Sequence, residues 1–277
     1  MAEDKPLTVE GRPNNALLRS LATPDWEQLK PHLEPVDLEA GGTLYEVGDA
    51  LTWVYFPEVG LLSVISVMTS GAAIETSIVG REGGIGFVEA LGSHKSHSRV
   101  IIQIPGKANR VAAIHYAKAF DGSATMREAV HRQVELLLVE ARQAIACHSL
   151  HRVERRFARW MLECQDLSGG LTLLPLKQEF LAVMLGVQRT TVTTIAAQSQ
   201  RGGLIRYRRG QVEIIDRPGL ERAACECRAT LQALRRELEP ESVLAYADAI
   251  VAPPVTSPKD RRTLKSGSFS VVTQISS

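Results

Sequence analysis

The chain has 277 residues, 44% hydrophobic and 23% charged, with a formal net charge of +1 at pH 7. That length suits one large domain or two ordinary ones, and that balance is the one of a soluble globular protein rather than a disordered or fibrous one. The opening MAEDKPLTVE lacks the basic and apolar regions of a secretory signal. The most apolar stretch, Val59 to Met68, falls far short of the roughly 20 residues that cross a bilayer. No membrane partner is expected, and the expected location is the cytoplasm.

Residues 1–15 are polar, with paired asparagines, and read as a flexible tail. Ala16 to Leu33 carries helical spacing, with Thr23-Pro24-Asp25 starting a second short helix. From Val36 to Ile114 short apolar runs rich in Tyr, Val and Ile alternate with glycine turns, a rhythm that predicts an antiparallel β sandwich or barrel. Residues 16–125 are therefore taken as one domain. Its glycine-rich stretch Gly80-Arg-Glu-Gly-Gly-Ile-Gly86 either cradles an anion on backbone N–H groups or forms only a tight turn with a bulge. It lacks the Gly-Lys-Ser/Thr ending of a P-loop.

The longest helical signal covers 126–148. Val130, Val134, Leu137, Ala141, Ala144 and His148 alternate in steps of four and three, the 3.5-residue repeat of a coiled-coil seam. These six are the expected homodimer interface; a core helix packed on the β domain is the competing reading. Residues 149–228 follow, beginning with a helix from His151 to Gln165. Pro218 to Leu238 predicts one terminal helix, and residues 229–277 carry the rest of it and a Pro-, Ser- and Thr-rich disordered tail.

The stretch Leu176 to Ile205 is the most informative. Phe180, Leu181, Met184 and Leu185 share a helix face, and Gly186 interrupts them where a sharp bend needs positive φ. A second helix opens at Gln188-Arg189-Thr190-Thr191 and ends at Gly202-Gly203. Two short strands around Arg208-Arg209-Gly210 supply a wing. Between Leu176 and Arg217 seven basic residues face three acidic ones, a net +4 in a nearly neutral chain. Such a local excess is the footprint of phosphate contact, and a bihelical unit of this kind puts the start of its second helix into the major groove.

This order resembles the Crp/Fnr superfamily of bacterial transcription regulators from Leu21 to Cys227. The carrying residues are Leu181-Ala182-x-x-Leu185-Gly186-Val187-x-Arg189-x-Thr191-Val192, then Leu44-Tyr45-Glu46-x-Gly48-Asp49 with Val54-Tyr55-Phe56-Pro57-x-x-Gly60, and Arg155-x-x-Ala158-Arg159-Trp160-Met161-Leu162. The resemblance implies an α+β chain: an eight-stranded β-roll of cyclic-nucleotide-binding type, a dimerisation helix and a winged helix-turn-helix. It implies a homodimer on double-stranded DNA, with RNA polymerase as a candidate partner and an unidentified small-molecule effector. The alternative is a β-roll ligand-binding or enzymatic protein whose helical C-terminus only dimerises it.

Departures from the family pattern concern the signal. Phe87 stands where cyclic-nucleotide binders carry a ribose-gripping Glu, and Arg99 is followed by Val100-Ile101 rather than Ser/Thr-Ala. The candidate effector pocket is therefore no more than Arg81, Glu82, Gly84, Gly86 and Arg99. The iron–sulfur branch uses N-terminal cysteines, whereas the four here are Cys147, Cys164, Cys225 and Cys227, too few for a disulfide framework in a chain this size. Cys147, His148 and His151 have metal-compatible chemistry, but such residues are commonly buried without metal, and Cys225-x-Cys227 lacks zinc-knuckle spacing. No metal site and no resident cofactor are expected. No catalytic triad or carboxylate pair stands out, so no enzyme is expected. Arg189 is the expected bidentate reader of a guanine edge, with Gln188, Thr190, Thr191 and Thr194 within reach of bases. Lys177, Thr193, Arg206, Arg208 and Arg209 are the expected phosphate contacts.

Overall fold

The computed structural model describes residues 12–238; the tails expected at 1–11 and beyond 238 lie outside them. Two short helices, α1 (Ala16–Ser20) and α2 (Thr23–Leu29), lead into an antiparallel sheet. Its strands are β1 (Leu33–Leu38), β2 (Thr43–Tyr45), β3 (Trp53–Val67), β4 (Ala73–Val79) and β5 (Arg99–Ala112), in the order β1-β5-β3-β4 with β2 also on β5. The resemblance implied eight strands. Among the described residues there are five in this sheet, because β3 and β5 are long enough to run through the bend of the roll. The bend lies where their register shifts between Pro57 and Leu62. The backbones approach so closely there that a Cβ on Gly106 would run into the carbonyl of Val59, so only glycine fits.

Residues 12–15, expected to be part of a flexible tail, are anchored instead. Arg12 donates to the carbonyls of Arg19 and Leu21, and the backbone N–H of Asn14 donates to Glu58. Asn15 is fully buried. Its amide donates to the carbonyls of Pro57 at 3.0 Å and Gly83 at 2.7 Å, and its oxygen caps α1 at the N–H of Leu18. One side chain thus ties the first helix to the bend of β3 and to the glycine turn.

After α3 (Ala113–Gly122) comes α4 (Ala124–Leu150), capped by the Ser123 hydroxyl. It buries Met126, Ala129 and Val130 in the core of the β-roll, with Leu137 packed on that core. The adjoining side leaves Val134, Leu138, Ala141 and Ile145 exposed. The expected seam is corrected accordingly. Val130 is 2% exposed and belongs to the chain's own core, out of a partner's reach, and half-buried Leu137 packs against the same core.

An extended link at His151–Arg152 leads to α5 (Val153–Leu167). Then come β6 (Leu173–Leu174), α6 (Gln178–Leu185), α7 (Arg189–Arg201), the hairpin β7 (Ile205–Arg208) and β8 (Gln211–Ile214), α8 (Arg217–Ala223) and α9 (Cys227–Leu238). The terminal helix expected over Pro218–Leu238 is two helices. Ala224 is extended, with ψ 161°, which ends the i→i−4 ladder and frees Cys225 and Glu226 to form a corner. Helix α9 returns along α4 through an Arg235–Glu140 ion pair at 2.7 Å.

Removing the Asn15 side chain should leave two buried carbonyls and a helix N–H without partners. Asn15→Ala is expected to lower stability by about 2–4 kcal/mol, since each orphaned buried group costs about 1–3 kcal/mol. Urea unfolding of the full chain measures it, and a loss close to zero would contradict the anchoring role.

Candidate nucleic-acid interface and sensor cavity

Helices α6 and α7 cross at 104°. Gly186 caps α6 in the left-handed region at φ 63°, its N–H bonding back to the Ala182 and Val183 carbonyls. A Cβ there would come within 2.9 Å of the tip of the Ile74 side chain of β4, so the turn is constrained chiefly by its left-handed conformation. Val192 and Ile195 are buried in the angle with Leu181, Met184 and Leu185. This burial fixes which face of α7 looks outward.

That outward face carries Gln188, Arg189, Thr190, Thr193 and Thr194, all exposed, with Thr191 half-buried. Arg189 is held by Glu179 at 3.0 Å, with both side chains largely in water. Gln178 accepts from Thr193 at 3.1 Å beside it. An exposed pair of this kind contributes no more than about 1 kcal/mol, so a ligand with stronger acceptors can capture the guanidinium. The wing turn brings Arg208 and Arg209 out at the same end, and neither makes an ion pair among the described residues. The stem of Lys177 lies beside Gly210 of that turn. Arg206, another expected phosphate contact, is paired with Glu213 at 2.6 Å. Sequence reasoning missed the positioning groups: Tyr207, whose hydroxyl donates to the Leu176 carbonyl, and Gln200, which accepts from the Tyr207 N–H. Together they fasten the wing to α7 and to the segment leading into α6.

Residues 155–223 match the family model of the Crp-like helix-turn-helix domain. Along more of its length the chain is similar to the transcriptional regulatory protein btr of Bordetella pertussis, 26% identical over 202 residues, which is 68% of this chain and 80% of that protein. The chain is thus similar to Crp/Fnr-type transcription regulators, and residues 155–223 are matched as their helix-turn-helix domain. The fold agrees. A crp/fnr-family regulator from Eubacterium rectale superposes with a TM-score of 0.60 at 18% identity, over 75% of this chain and 96% of that one. FixK2 from Bradyrhizobium japonicum gives 0.59 at 15% identity, over 70% and 98%.

In this chain the candidate effector residues do not form one group. Gly84 and Gly86 line a cavity of ≈ 190 Å³ inside the β-roll, walled by Tyr45, Leu51, Phe87 and Val100, with Ser77, Ser96 and Ser98 as polar points. Leu137 of α4 closes one side. Arg81 is exposed and away from this lining. Arg99 sits on the other side of the sheet, paired with Glu46 at 2.8 Å. Glu82 folds back so that its carboxylate accepts from the Gly80 N–H at 2.8 Å. The glycine turn thus supplies its own anion. With Glu89 in the lining and no lysine or arginine, the cavity is a poor host for a phosphate.

The β-roll and the helix-turn-helix domain meet across a packed joint. Leu61 of β3 and Ile104 of β5 are buried in the same apolar cluster as Leu181, Val192 and Ile195. Glu75 of β4 is buried against α5. It accepts from the Trp160 indole N–H at 2.9 Å and from the Ser63 hydroxyl. Burial pushes its carboxyl up from 4.5 to about 7; the bonds from Ser63 and Trp160 oppose this, Glu163 adds to it and Arg159 offsets it. Arg159 and Glu163 are themselves joined at 2.7 Å alongside. A second cavity, ≈ 250 Å³, lies next to this joint between Arg99 and Gln103 of the sheet and Phe180, Val183 and Met184 of α6.

The cysteines also need correction. Cys147 and Cys225 are 78 residues apart, and His151 and Cys227 are 76 apart, which is why linear spacing suggested no ligand set. The fold gathers all four, with the three cysteines buried in a cluster of their own. His148, by contrast, turns to Arg156.

The folded chain keeps the Glu75 proton up to about pH 7, whereas an ordinary carboxyl releases it near 4.5. Between those values the folded state binds more protons, so its stability falls as pH rises through the window. Glu75→Gln keeps an acceptor for Trp160 and cannot ionise. It should remove that pH dependence, worth up to about 3 kcal/mol by the size of the shift. Urea unfolding at pH 5 and pH 7.5 tests this, and an unchanged pH slope in the variant would rule out Glu75 as its source.

Proposed function

We propose that this regulator acts as a homodimer that reads a two-fold DNA site with α7, and that the state of the β-roll cavity sets how the two readers are presented. The carrying observation is the exposed end of α7 beside a basic wing on a rigid bihelical frame. Gln188, Arg189, Thr190 and Thr194 face the base edges, with Arg189 as the bidentate guanine reader; half-buried Thr191 is left the margin of that surface. Lys177, Thr193, Arg208 and Arg209 fit phosphate. Arg206 joins them on exchanging Glu213 for the backbone.

The dimer contact we assign is the exposed side of α4. Val134, Leu138, Ala141 and Ile145 follow one another in steps of four, three and four, the repeat of a two-helix seam. Val134, Ala141 and His148 are shared with the seam expected from sequence; Leu138 and Ile145 replace Leu137 and Ala144. The adjoining side of α4 closes the cavity through Leu137, so a ligand there would press on the dimer helix directly. The cavity's apolar walls and hydroxyls suit a small uncharged ligand better than a nucleotide. Binding DNA places the protein in the cytoplasm. No single helix among the described residues is long and apolar enough to cross a membrane. RNA polymerase is the partner such a regulator would recruit or exclude, and the position of bound sites relative to promoters distinguishes the two.

Duplex binding should fall steeply as salt rises, because phosphate contacts release counterions. Retention of no DNA at low salt would favour a β-roll binding protein that only dimerises through its helices. Arg189→Ala should cost about 1–3 kcal/mol and relax preference at one base pair; an equal loss on all sequences would remove its reading role. Leu138→Glu puts a charge into the proposed seam. It should shift the protein towards monomer in sedimentation, and an unchanged dimer would move the interface elsewhere.

A further inference from the structure

Four side chains that the DNA-reading function does not use converge where α4 ends. Cys147 lies in the last turn of α4 and His151 is its C-cap, with the His151 N–H bonded to the Cys147 carbonyl. Cys225 lies in the corner between α8 and α9, and Cys227 is the first residue of α9. Their ligand atoms all lie within 4.8 Å of one another. The Cys147 and Cys225 sulfurs are 3.6 Å apart, and Cys227 Sγ is 3.4 Å from His151 Nδ1. The three cysteines are buried and His151 is nearly so.

The 3.6 and 3.4 Å separations are close to the edges of a tetrahedron around one ion. With metal–sulfur bonds of about 2.3 Å and metal–nitrogen bonds of about 2.0 Å, the edges come to about 3.8 Å between sulfurs and about 3.5 Å between sulfur and nitrogen. An iron–sulfur cube would need its thiolates spread around a whole cluster. The surroundings match as well. His151 presents Nδ1 to the group while Nε2 is held by Glu226 at 3.1 Å, the carboxylate–histidine arrangement that orients a metal-bound imidazole. Gln143 donates an amide N–H to Cys227 Sγ at 3.0 Å, a bond that supports a thiolate.

We propose that Cys147, His151, Cys225 and Cys227 form a closed site for one soft divalent cation of the Zn²⁺ class, and that this ion clamps the end of the reader domain to the end of α4. Four protein ligands leave no open position, which marks the site as structural rather than catalytic. The clamp spans the extended His151–Arg152 link between α4 and α5, the only covalent connection from the sensor to the reader among the described residues. It joins the corner after α8, itself tied to α5 through Arg217 and Asp166 at 2.7 Å, back to the helix on the sensor side. The site stands on its own geometry; only its consequence for DNA rests on the function proposed above.

The test uses the full chain purified under reducing conditions, with metal content measured by mass spectrometry. About one Zn²⁺ per chain is expected, and Co²⁺ in its place should give the ligand-field and thiolate charge-transfer bands of a tetrahedral site. Cys227→Ala and Cys225→Ser should each abolish both signals. Cys164→Ala, buried in a different cluster, should keep them. Glu226→Gln should weaken Zn²⁺ retention against a chromophoric chelator by about tenfold, the low end for the loss of an outer partner. If the ligand variants fail to fold, titration of wild-type protein with Co²⁺ still decides. Reduced wild-type protein that takes up neither Zn²⁺ nor Co²⁺ overturns the proposal. So does a Cys147–Cys225 disulfide in protein taken directly from cells, or metal content that survives loss of Cys225 and Cys227.

Discussion

The structure depends on one constraint: the sheet and the DNA reader share a core. Leu61 and Ile104 sit in the long strands of the roll, yet their side chains complete the apolar cluster that holds α6 and α7 at their angle. Apolar burial is favourable in proportion to the area removed from water and resists gaps. The reader therefore cannot shift against β4 without opening a void around these residues. Gly186 is the second expression of that contact, since the turn between the helices packs against the tip of the Ile74 side chain. Two domains that composition could present as independent are mechanically one across this face.

Glu75 gives the joint a chemical character that apolar packing lacks. A carboxyl buried between strand and helix is tolerated because Ser63 and Trp160 donate to it, and burying it without partners would cost several kcal/mol. The price is a proton affinity that favours the neutral form at the sheet–helix contact. Arg159 and Glu163, paired beside it, keep their charges balanced within the same layer.

Helix α4 answers to two demands from one sequence. Val134, Ala141 and His148 belong to both possible 3.5-residue seams, one running through Val130, Leu137 and Ala144 and the other through Leu138 and Ile145. Periodicity alone cannot choose, because a rotation of about 50° around the helix exchanges them, half of the 100° per residue set by 3.6 residues per turn. The β-roll chooses by burying Val130 and packing Leu137 against its core. The same rotation puts Leu137 on the wall of the cavity and leaves the other stripe in water. At the far end of α4, Cys147 meets a corner of chain that exists only because the expected terminal helix breaks at Ala224.

Much was legible in the order of residues. The glycine at 186 with its apolar flanks, the basic wing and the β-rich rhythm of Val36–Ile114 are local patterns. A left-handed turn, a helix face and an alternating strand each need only neighbours a few positions apart. They led to the fold class and to the face of α7 that carries Arg189. What the sequence could not determine was whatever depended on distance in space. The effector residues share a place in the family pattern, and the sheet puts Arg99 and Gly86 in different cavities. Asn15 looked like part of a polar tail until its amide found carbonyls at Pro57 and Gly83. Cys147, His151, Cys225 and Cys227 carry no motif, because their spacing is set by the packing of α9 on α4. Local conformational preference is written in the chain, whereas which surfaces meet is decided by the competition to bury them.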